Sequence, residues 1–392
     1  MRQIAPYLLV FLAVAAVAAP PAGVVTTIAG NPGIPGYWDG PAQDAMFAHP
    51  TWLDVIDRGG AQFCEGGLPG DIYVIDRMNQ RIRRIASSGD VSTVTPLIQF
   101  PAPERPFPID FGSAFGGGIL AEPLGAGCGC GIYGRGLFIA GSGQEQIVLV
   151  SPDGLLASRD AYPVTIGSGK SGSADGVSFN AQFHTPVGIA RAAKAGGGGG
   201  NPQEVLFIAD SGNHTIRRVA FMLSFEGCPV PWNVTTLAGA AGQPGSADGK
   251  GSAARFDTPR GIAALPDGTL YVADAGNHTI RRITPDGTVT TIAGVPGVAG
   301  SDDAHLNTPS GIDVSANGEV FFVDTFNHAI RMITTDGKLV TVAGQLGVSG
   351  FADGDAAAAM FNAPVGLKIA PDGSILVADT GNNVIRRVTL TR

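Results

Sequence analysis

The feature that most constrains this sequence is an internal repeat, best preserved at residues 270–294, which read LYVADAGNHTIRRITPDGTVTTIAG. Three short runs rich in apolar and β-branched residues are separated by two tight-turn signals, AGN and PDG. This pattern predicts three antiparallel strands joined by tight turns. Because one unit cannot bury its own apolar face, successive copies must stack against each other.

The copies can be counted by the aspartate that ends each LYVAD-like strand. It occurs at Asp76, Asp210, Asp274, Asp324 and Asp379. The gap of 134 residues between the first two is about twice the later spacings of 64, 50 and 55, which indicates one further unit inside it. Residues 137–141 (LFIAG) and 146–150 (QIVLV) supply that unit, with Gly141 in place of the aspartate. The sequence therefore predicts six units.

The two ends of the array complement each other. Residues 24–30 (VVTTIAG) repeat the last strand of a unit, yet nothing repeat-like precedes them. The final unit stops after residues 383–390 (NVIRRVTL), without a VTTIAG strand of its own. This pattern predicts a closed ring in which the N-terminal strand completes the last blade, leaving no exposed strand edge at the ends of the array. Six four-stranded units in a ring form an all-β, six-bladed β-propeller.

Composition and charge fit this fold and limit the partners. The chain has 58 Gly and 28 Pro, with 44% hydrophobic and 15% charged residues, as suits a large core with many tight turns. A formal net charge of −8 repels a polyanion at long range. Arginines recur at one repeat position around the ring, where pairing with the repeat aspartates is the simpler role. We therefore expect no nucleic-acid partner.

The N-terminal residues have the pattern of a secretory signal. A short basic start precedes a 13-residue apolar run at 7–19 and a small-x-small cleavage site at 16–18. A permanent membrane helix needs about 20 apolar residues. We expect a signal peptide over 1–19, a single propeller domain over 20–392 and a secreted or extracytoplasmic protein, with an uncleaved anchor as the alternative. Four cysteines in insertions fit export, and their pairing stays open: Cys64, Cys128, Cys130 and Cys228.

The units resemble NHL repeats, whose pattern is roughly Pro-x-Gly-Ile-Ala, LYVAD, GNHxIRRI, a PDG turn and VTTIAG. Residues 258–263, 270–274, 276–283 and 288–294 match it closely. The resemblance extends over residues 24–392, and the long loops with SADG are similar to those of plant and bacterial NHL-domain proteins. It implies a six-bladed propeller.

Residues that break the repeat are the candidates for binding, because folding explains the repeat itself. Aromatic and arginine side chains are also the types that anchor interfaces. The candidates are Trp38, Trp52, Tyr133, Arg135 and Phe351. We predict a monomeric scaffold that binds a protein or peptide on a loop face, without a cofactor, rather than an enzyme.

The alternative is a metal-dependent lyase or hydrolase with a divalent cation, zinc or calcium, at the central channel. His49, His184 and His305 each lie just before the proline that opens a blade. Three imidazoles with an open fourth position form a catalytic zinc arrangement. The amidating lyases, an NHL-like family, hold zinc with histidines at the propeller axis, two of which follow the proline directly. Here those positions are Thr51, Val187 and Ser310, which breaks the pattern.

Two other recurring features have structural explanations. His214, His278 and His328 belong to the repeat, so we expect them to be structural. The Asp-Gly pairs of the SADG loops could offer oxygen ligands to calcium, but they lack the alternating carboxylates of a calcium loop, and a turn explains them.

Overall fold

The computed structural model describes residues 21–55, 70–94, 118–124, 134–150, 165–193, 204–223 and 229–391. This part of the chain consists of β-strands and three-residue 3-10 helices. No helix within it is long and apolar enough to cross a membrane. The predicted signal segment at 1–19 and all four cysteines lie outside the described residues.

The strands are numbered in chain order and form six antiparallel sheets. After β1 (Gly23–Ala29), blade 1 contains β2 (Gly40–Pro41), β3 (Pro50–Val55), β4 (Ile72–Asp76), β5 (Arg81–Ile85) and β6 (Asp90–Val94). Blade 2 contains β7 (Ile119–Leu124), β8 (Gly134–Gly141), β9 (Gln146–Val150) and β10 (Thr165–Ile166). Blade 3 contains β11 (Gly176–Val177), β12 (Pro186–Ala193), β13 (Glu204–Asp210), β14 (Thr215–Leu223) and β15 (Pro229–Gly239).

The remaining blades follow the same order. Blade 4 contains β16 (Gly249–Lys250), β17 (Pro259–Ala264), β18 (Leu270–Asp274), β19 (Thr279–Ile283) and β20 (Thr288–Ala293). Blade 5 contains β21 (Pro309–Val314), β22 (Val320–Asp324), β23 (Ala329–Ile333) and β24 (Leu339–Ala343). Blade 6 contains β25 (Gly354–Asp355), β26 (Gly366–Ile369), β27 (Ile375–Asp379) and β28 (Val384–Leu390). The 3-10 helices are Ser178–Asn180, Ser211–Asn213, Gly251–Ala253, Ala275–Asn277, Thr325–Asn327 and Thr380–Asn382.

Residues of the innermost strand of every sheet line one central cavity, so the sheets are blades arranged around an axis. The predicted six-bladed, all-β propeller is therefore confirmed, including the unit hidden between Asp76 and Asp210, which is blade 2. Blades 1, 3, 4 and 6 carry a fifth, two-residue strand at their outer edge. In the described part of the chain, the sheets of blades 2 and 5 have four strands.

The first and last strands that the structure describes lie side by side in blade 6. The strand order in that sheet is β25-β1-β28-β27-β26. Gly23 is opposite Leu390 and Thr26 is opposite Arg387. Just beyond the pair, Thr391 N donates to Ala22 O at 2.8 Å. Blade 6 is thus built from both ends of the chain.

Close backbone contacts join the inner strands of neighbouring blades. Five inner strands have glycine at one register, and a Cβ there would lie 2.0 to 2.6 Å from a carbonyl oxygen of the next blade. Those glycines are Gly118, Gly188, Gly261, Gly311 and Gly366. Blade 1 has Trp52 at this register, in an apolar cluster with Val187 of blade 3 and Val365 of blade 6. Trp52 therefore packs among residues of several blades and lines the central cavity.

Candidate functional site

Blades 1, 3, 4, 5 and 6 have a turn of the pattern Asp-x-x-Asn after their second long strand, such as Asp274 to Asn277 in blade 4. A buried Asp–Arg pair joins this turn to the crossover loop, which is the segment that leads from the preceding blade to the inner strand. In blade 4, Asp274 Oδ2 accepts from Arg281 Nη1 at 2.8 Å and from Asn277 Nδ2 at 2.7 Å. Arg281 Nη2 donates to Asp248 Oδ1 at 2.8 Å, and its guanidinium lies 5.2 Å from the ring centroid of Phe256. The arginines at this position have fully buried side chains: Arg83, Arg217, Arg281, Arg331 and Arg386. They belong to the scaffold, as does the SADG aspartate.

The Asp-x-x-Asn turns also hold the crossover loops in place. Asn277 Nδ2 donates to Gly245 O at 2.6 Å, and Asp274 Oδ1 accepts from Asp257 N at 2.8 Å. The backbone partners of these side chains thus lie in the crossover loop and just before the inner strand, not in the turn itself. Burial raises the pKa of four of these aspartates to about 6, although their hydrogen-bond donors act to lower it. The four are Asp210, Asp274, Asp324 and Asp379.

The repeat histidines of blades 3, 4 and 5 each link their blade to the next one. His278 has a left-handed backbone, with φ of 56°, and its Nδ1 accepts from Thr308 N of blade 5 at 3.0 Å. His214 and His328 accept in the same way from Thr258 N and Ala363 N. Burial lowers the pKa of His278 and of His328. The predicted structural role is confirmed, and it requires a neutral ring because Nδ1 is the acceptor.

The predicted binding residues lie in different surroundings. Trp38 is 65% exposed in the crossover loop of blade 1, and Phe351 is 38% exposed with its ring 4.7 Å from the Arg386 guanidinium. Trp52 is only 8% exposed, so it packs inside the ring and not on a loop face. Tyr133 lies outside the described residues, and Arg135 is placed only as part of β8.

The three histidines of the metal hypothesis have separate partners. His49 N donates to Asn383 Oδ1 at 2.9 Å, and His184 N donates to Asp210 Oδ1 at 2.8 Å. His305 Nδ1 lies 2.8 Å from Asp302 Oδ1 of its own loop. Among the described residues, no group of three or more His, Cys, Asp or Glu side chains is arranged to hold a metal ion.

Exposed apolar side chains gather on the face formed by the Asp-x-x-Asn turns and the crossover loops, here called the turn face. Most of the exposed large hydrophobic residues belong to the crossovers or turns of blades 5, 6 and 1, and we call this set the apolar arc. It consists of Val295, Val298, Phe326, Val348, Phe351, Ile34, Tyr37, Trp38 and Met78. The corresponding crossovers of blades 3 and 4, at 168–175 and 240–248, contain no large apolar residue.

The three crossovers of the apolar arc are consecutive around the ring. Each is hydrogen-bonded to the turn of the preceding blade, as Gly347 N donates to Asn327 O at 2.9 Å and Gly33 N donates to Asn382 O at 3.0 Å. Tyr37, which is 67% exposed, and its sequence neighbour Trp38 lie at one end of the arc. The apolar arc thus extends over three consecutive blades of the turn face.

The central cavity contains a charged cluster that spans the same three blades. The cavity has a volume of about 110 Å³. Lys368 Nζ of blade 6 lies 3.3 Å from Asp54 Oδ1 of blade 1 and 3.5 Å from Asp313 Oδ2 of blade 5. Both carboxylates also accept from backbone N–H groups of inner strands, Asp54 from Ala121 N at 2.7 Å and Asp313 from Ile369 N at 3.0 Å. Burial raises the pKa of Asp54.

Neither the charged cluster nor seven of the nine residues of the apolar arc are predicted from the sequence. Asp54, Asp313 and Lys368 replace the alanine of Pro-x-Gly-Ile-Ala, so a comparison of inner strands position by position could have found them. Tyr37 aligns with Phe351 at the same distance before the Asp-Gly pair, but no single-residue signal distinguishes an exposed aromatic in a loop from a buried one.

A model of the NHL repeat matches residues 256–283, which lie in blade 4. The chain is 26% identical over 386 residues to protein SUPPRESSOR OF QUENCHING 1, chloroplastic, of Arabidopsis thaliana, covering 93% of this chain and 27% of that protein. It is 31% identical over 150 residues to NHL repeat-containing protein 2 of Homo sapiens, covering 37% of this chain and 18% of that protein. The chain therefore spans about a quarter, or less, of the length of these curated relatives.

Solved structures share the fold. A protein of unknown function from Bacteroides thetaiotaomicron matches with a TM-score of 0.63 and 20% identity, over 94% of this chain and 76% of that chain. An auxiliary nutrient binding protein from the same organism matches with a TM-score of 0.58 and 17% identity, over 94% and 77% of the two chains. These structures show the fold alone, whereas the match of the NHL-repeat model and the NHL repeat-containing relatives show that the chain is an NHL-repeat β-propeller protein.

Proposed function

We propose that this propeller is an exported scaffold that binds a protein or peptide through the apolar arc. The observation that carries the proposal is the concentration of nine of the twelve exposed large hydrophobic residues of the described chain in the crossovers and turns of three consecutive blades. Scattered single apolar residues are normal on a protein surface, whereas a concentrated patch marks an interaction site. Tyr37, Trp38 and Phe351 are of the residue types that anchor interfaces.

The central cavity supports a binding or catalytic role less well. Asp54 is only 3% exposed, and its two oxygen atoms accept from backbone N–H groups of Val55 and Ala121. Lys368 lies between Asp54 and Asp313, so it is already engaged by two carboxylates. The side chains of this cluster are directed toward each other and toward the inner strands, which fits a role in joining blades.

The test is selection of peptides from a random displayed library on the purified protein, followed by affinity measurement by fluorescence anisotropy. The variant Tyr37→Ser/Trp38→Ser removes two aromatic side chains that are about two-thirds exposed. We expect it to weaken binding of the selected peptides at least tenfold, because aromatic anchors typically contribute more than about 1.4 kcal/mol.

A matched control is available on another side of the ring. Phe179 is 64% exposed in the 3-10 helix Ser178–Asn180 of blade 3, away from the apolar arc. Phe179→Ser should leave peptide affinity unchanged while removing a similar exposed ring. Peptides whose affinity falls equally in both variants, or in neither, would refute the apolar arc as the binding surface.

A further inference from the structure

The crossover that enters blade 5 is shorter than its counterparts. In the crossovers that enter blades 1, 3, 4, 5 and 6, one glycine carbonyl accepts from the turn asparagine, and one apolar residue further on packs near the buried arginine. In blades 1, 3, 4 and 6 the apolar residue is a phenylalanine eleven residues after the glycine, as Phe256 is after Gly245. In blade 5, only six positions separate Gly300 from Leu306, so five residues are missing. The missing segment is the one that forms the outer fifth strand elsewhere.

The loss of that strand leaves the outer edge of β24 without a neighbour. In the other four blades, a glycine of the fifth strand pairs with a valine that is 0 to 2% exposed, as Gly249 does with Val289. Leu339 holds the same register in β24, opposite Ile333, and is half-buried. Its outward backbone groups have no strand partner among the described residues.

The carboxylate of the missing segment is absent as well. In the four five-stranded blades, the aspartate before that glycine accepts from a threonine N–H of the outer strand at 3.0 or 3.1 Å. Thr341 is the corresponding residue of β24, opposite Arg331. The shortened crossover has two acidic residues, Asp302 and Asp303, and Asp302 accepts from Ala304 N and His305 N within its own loop.

Arg331 shows the consequence of this loss. In the four five-stranded blades, the equivalent arginine Nη2 lies 2.6 to 2.8 Å from the aspartate that precedes the fifth strand. Arg331 Nη2 is buried and has no hydrogen-bond partner in the part of the chain that the structure describes. Its Nη1 is 3.5 Å from Asp324, against 2.7 to 2.8 Å for the equivalent pairs. A buried donor without a partner costs free energy that an incoming acceptor would recover.

We propose that the outer edge of blade 5 is a docking site for an extended segment of a partner protein that carries an aspartate. The segment adds to β24 as a fifth strand, and its carboxylate accepts from Arg331 Nη2 and Thr341 N. Addition of a strand to a free sheet edge is a common mode of peptide recognition. Four blades of this chain show the same arrangement within one molecule, which defines the aspartate-glycine sequence of the occupant. Because Arg331 Nη2 is buried, the exposed loop 301–304 must shift to admit the carboxylate.

The inference agrees with the proposed function in requiring a peptide partner, but it concerns the side of the ring and not the apolar arc. The two can therefore fail separately. Tyr37→Ser/Trp38→Ser should not affect docking at blade 5, and a change confined to the outer edge of β24 should not affect peptides selected on the apolar arc.

The test uses the full chain and a synthetic peptide, PGSADGKGSA, that copies residues 244–253 of blade 4. We expect this peptide to bind and to protect the amides of Leu339 and Thr341 from hydrogen exchange. The same peptide with the substitution Asp248→Asn should bind at least tenfold more weakly, because it loses the charge that Arg331 recognises. Absence of amide protection, or equal binding of both peptides, would overturn the proposal.

A grafted variant tests the site without weakening the fold. Replacing residues 301–306 by residues 246–256 gives blade 5 a fifth strand of its own, and we expect peptide binding to be lost while thermal stability is kept. Should the graft not fold, Thr341→Pro removes the outward N–H at an edge position where proline is tolerated, and binding should again be lost. Peptide binding that survives in a folded variant would overturn the proposal. A Thr341 amide that is already protected in the free protein would also overturn it, because Asp302 or Asp303 would then occupy the site.

Discussion

Single residues join the blades of this propeller, and the histidine after the Asp-x-x-Asn turn of blades 3, 4 and 5 is the clearest example. In blade 6 the same backbone position is Asn383, whose Oδ1 accepts from His49 N at 2.9 Å. Asparagine tolerates the left-handed conformation and offers an acceptor that does not titrate. The chain therefore contains its own control for the effect of histidine protonation.

The histidine links predict a pH-dependent stability. Burial lowers the pKa of His278 and of His328, so the unfolded chain takes up protons that the folded chain does not when the pH falls below about 6.5. This part of the free energy of unfolding is complete above that pH and is lost as the pH decreases. The double variant His278→Asn/His328→Asn should lose less stability than the wild type between pH 7 and pH 5 in urea titrations. Parallel losses in the two proteins would contradict the acceptor role.

The charged cluster in the cavity predicts a second effect of one side chain. Lys368→Met leaves Asp54 and Asp313 without their shared cation, and we expect a loss of about 2 kcal/mol in the free energy of unfolding, less than for a fully buried pair because Lys368 is partly exposed. Lys368→Arg, which keeps the charge, should cost less. Because burial already raises the pKa of Asp54, protonation in the folded variant should reduce the deficit as the pH falls from 7 toward 5.

Among the elements, β1 has the largest predicted effect. It lies between β25 and β28, and Val25 and Ala29 are almost fully buried there. Deletion of residues 24–30 removes this strand from the middle of a sheet, so we expect a strongly lowered melting temperature. Adding the peptide GVVTTIAG in trans should restore part of the loss, because a ligand that binds only the folded state stabilises it. An unchanged melting temperature in the truncated protein would refute the role of β1 in closing the ring.

The strands were easier to predict from the sequence than the contacts made by side chains of the turns and loops. The LYVAD and IRRI runs of blades 1, 3, 4, 5 and 6 lie in strands, because alternation and turn residues act locally. Blade 2 was found only by spacing, since it lacks both the aspartate and the buried arginine. The partners of the SADG aspartates could not be predicted, because Asp248 and Arg281 are 33 residues apart and are brought together only by the packing of the blade.

For the whole molecule, the repeat explains what is shared by the blades, and function is to be sought where they differ. Trp52 was selected from the sequence as a residue that breaks the repeat, but its large side chain packs toward the axis where five other blades have glycine. The departure of Trp52 from the repeat therefore identified an unusual position, but it did not show whether the side chain faces solvent. Exposure of Trp38 and burial of Trp52 depend on the ring, which a pattern within one unit cannot represent.

The pairing of Gly23 with Leu390 also determines how the ring responds to mechanical load. A force that pulls Ala22 and Thr391 apart acts on the end of an antiparallel pair, so its hydrogen bonds break one after another and not all at once. Such peeling needs much less force than sliding two strands along each other. When this propeller is placed within a longer chain under tension, blade 6 is therefore the site where the ring opens first.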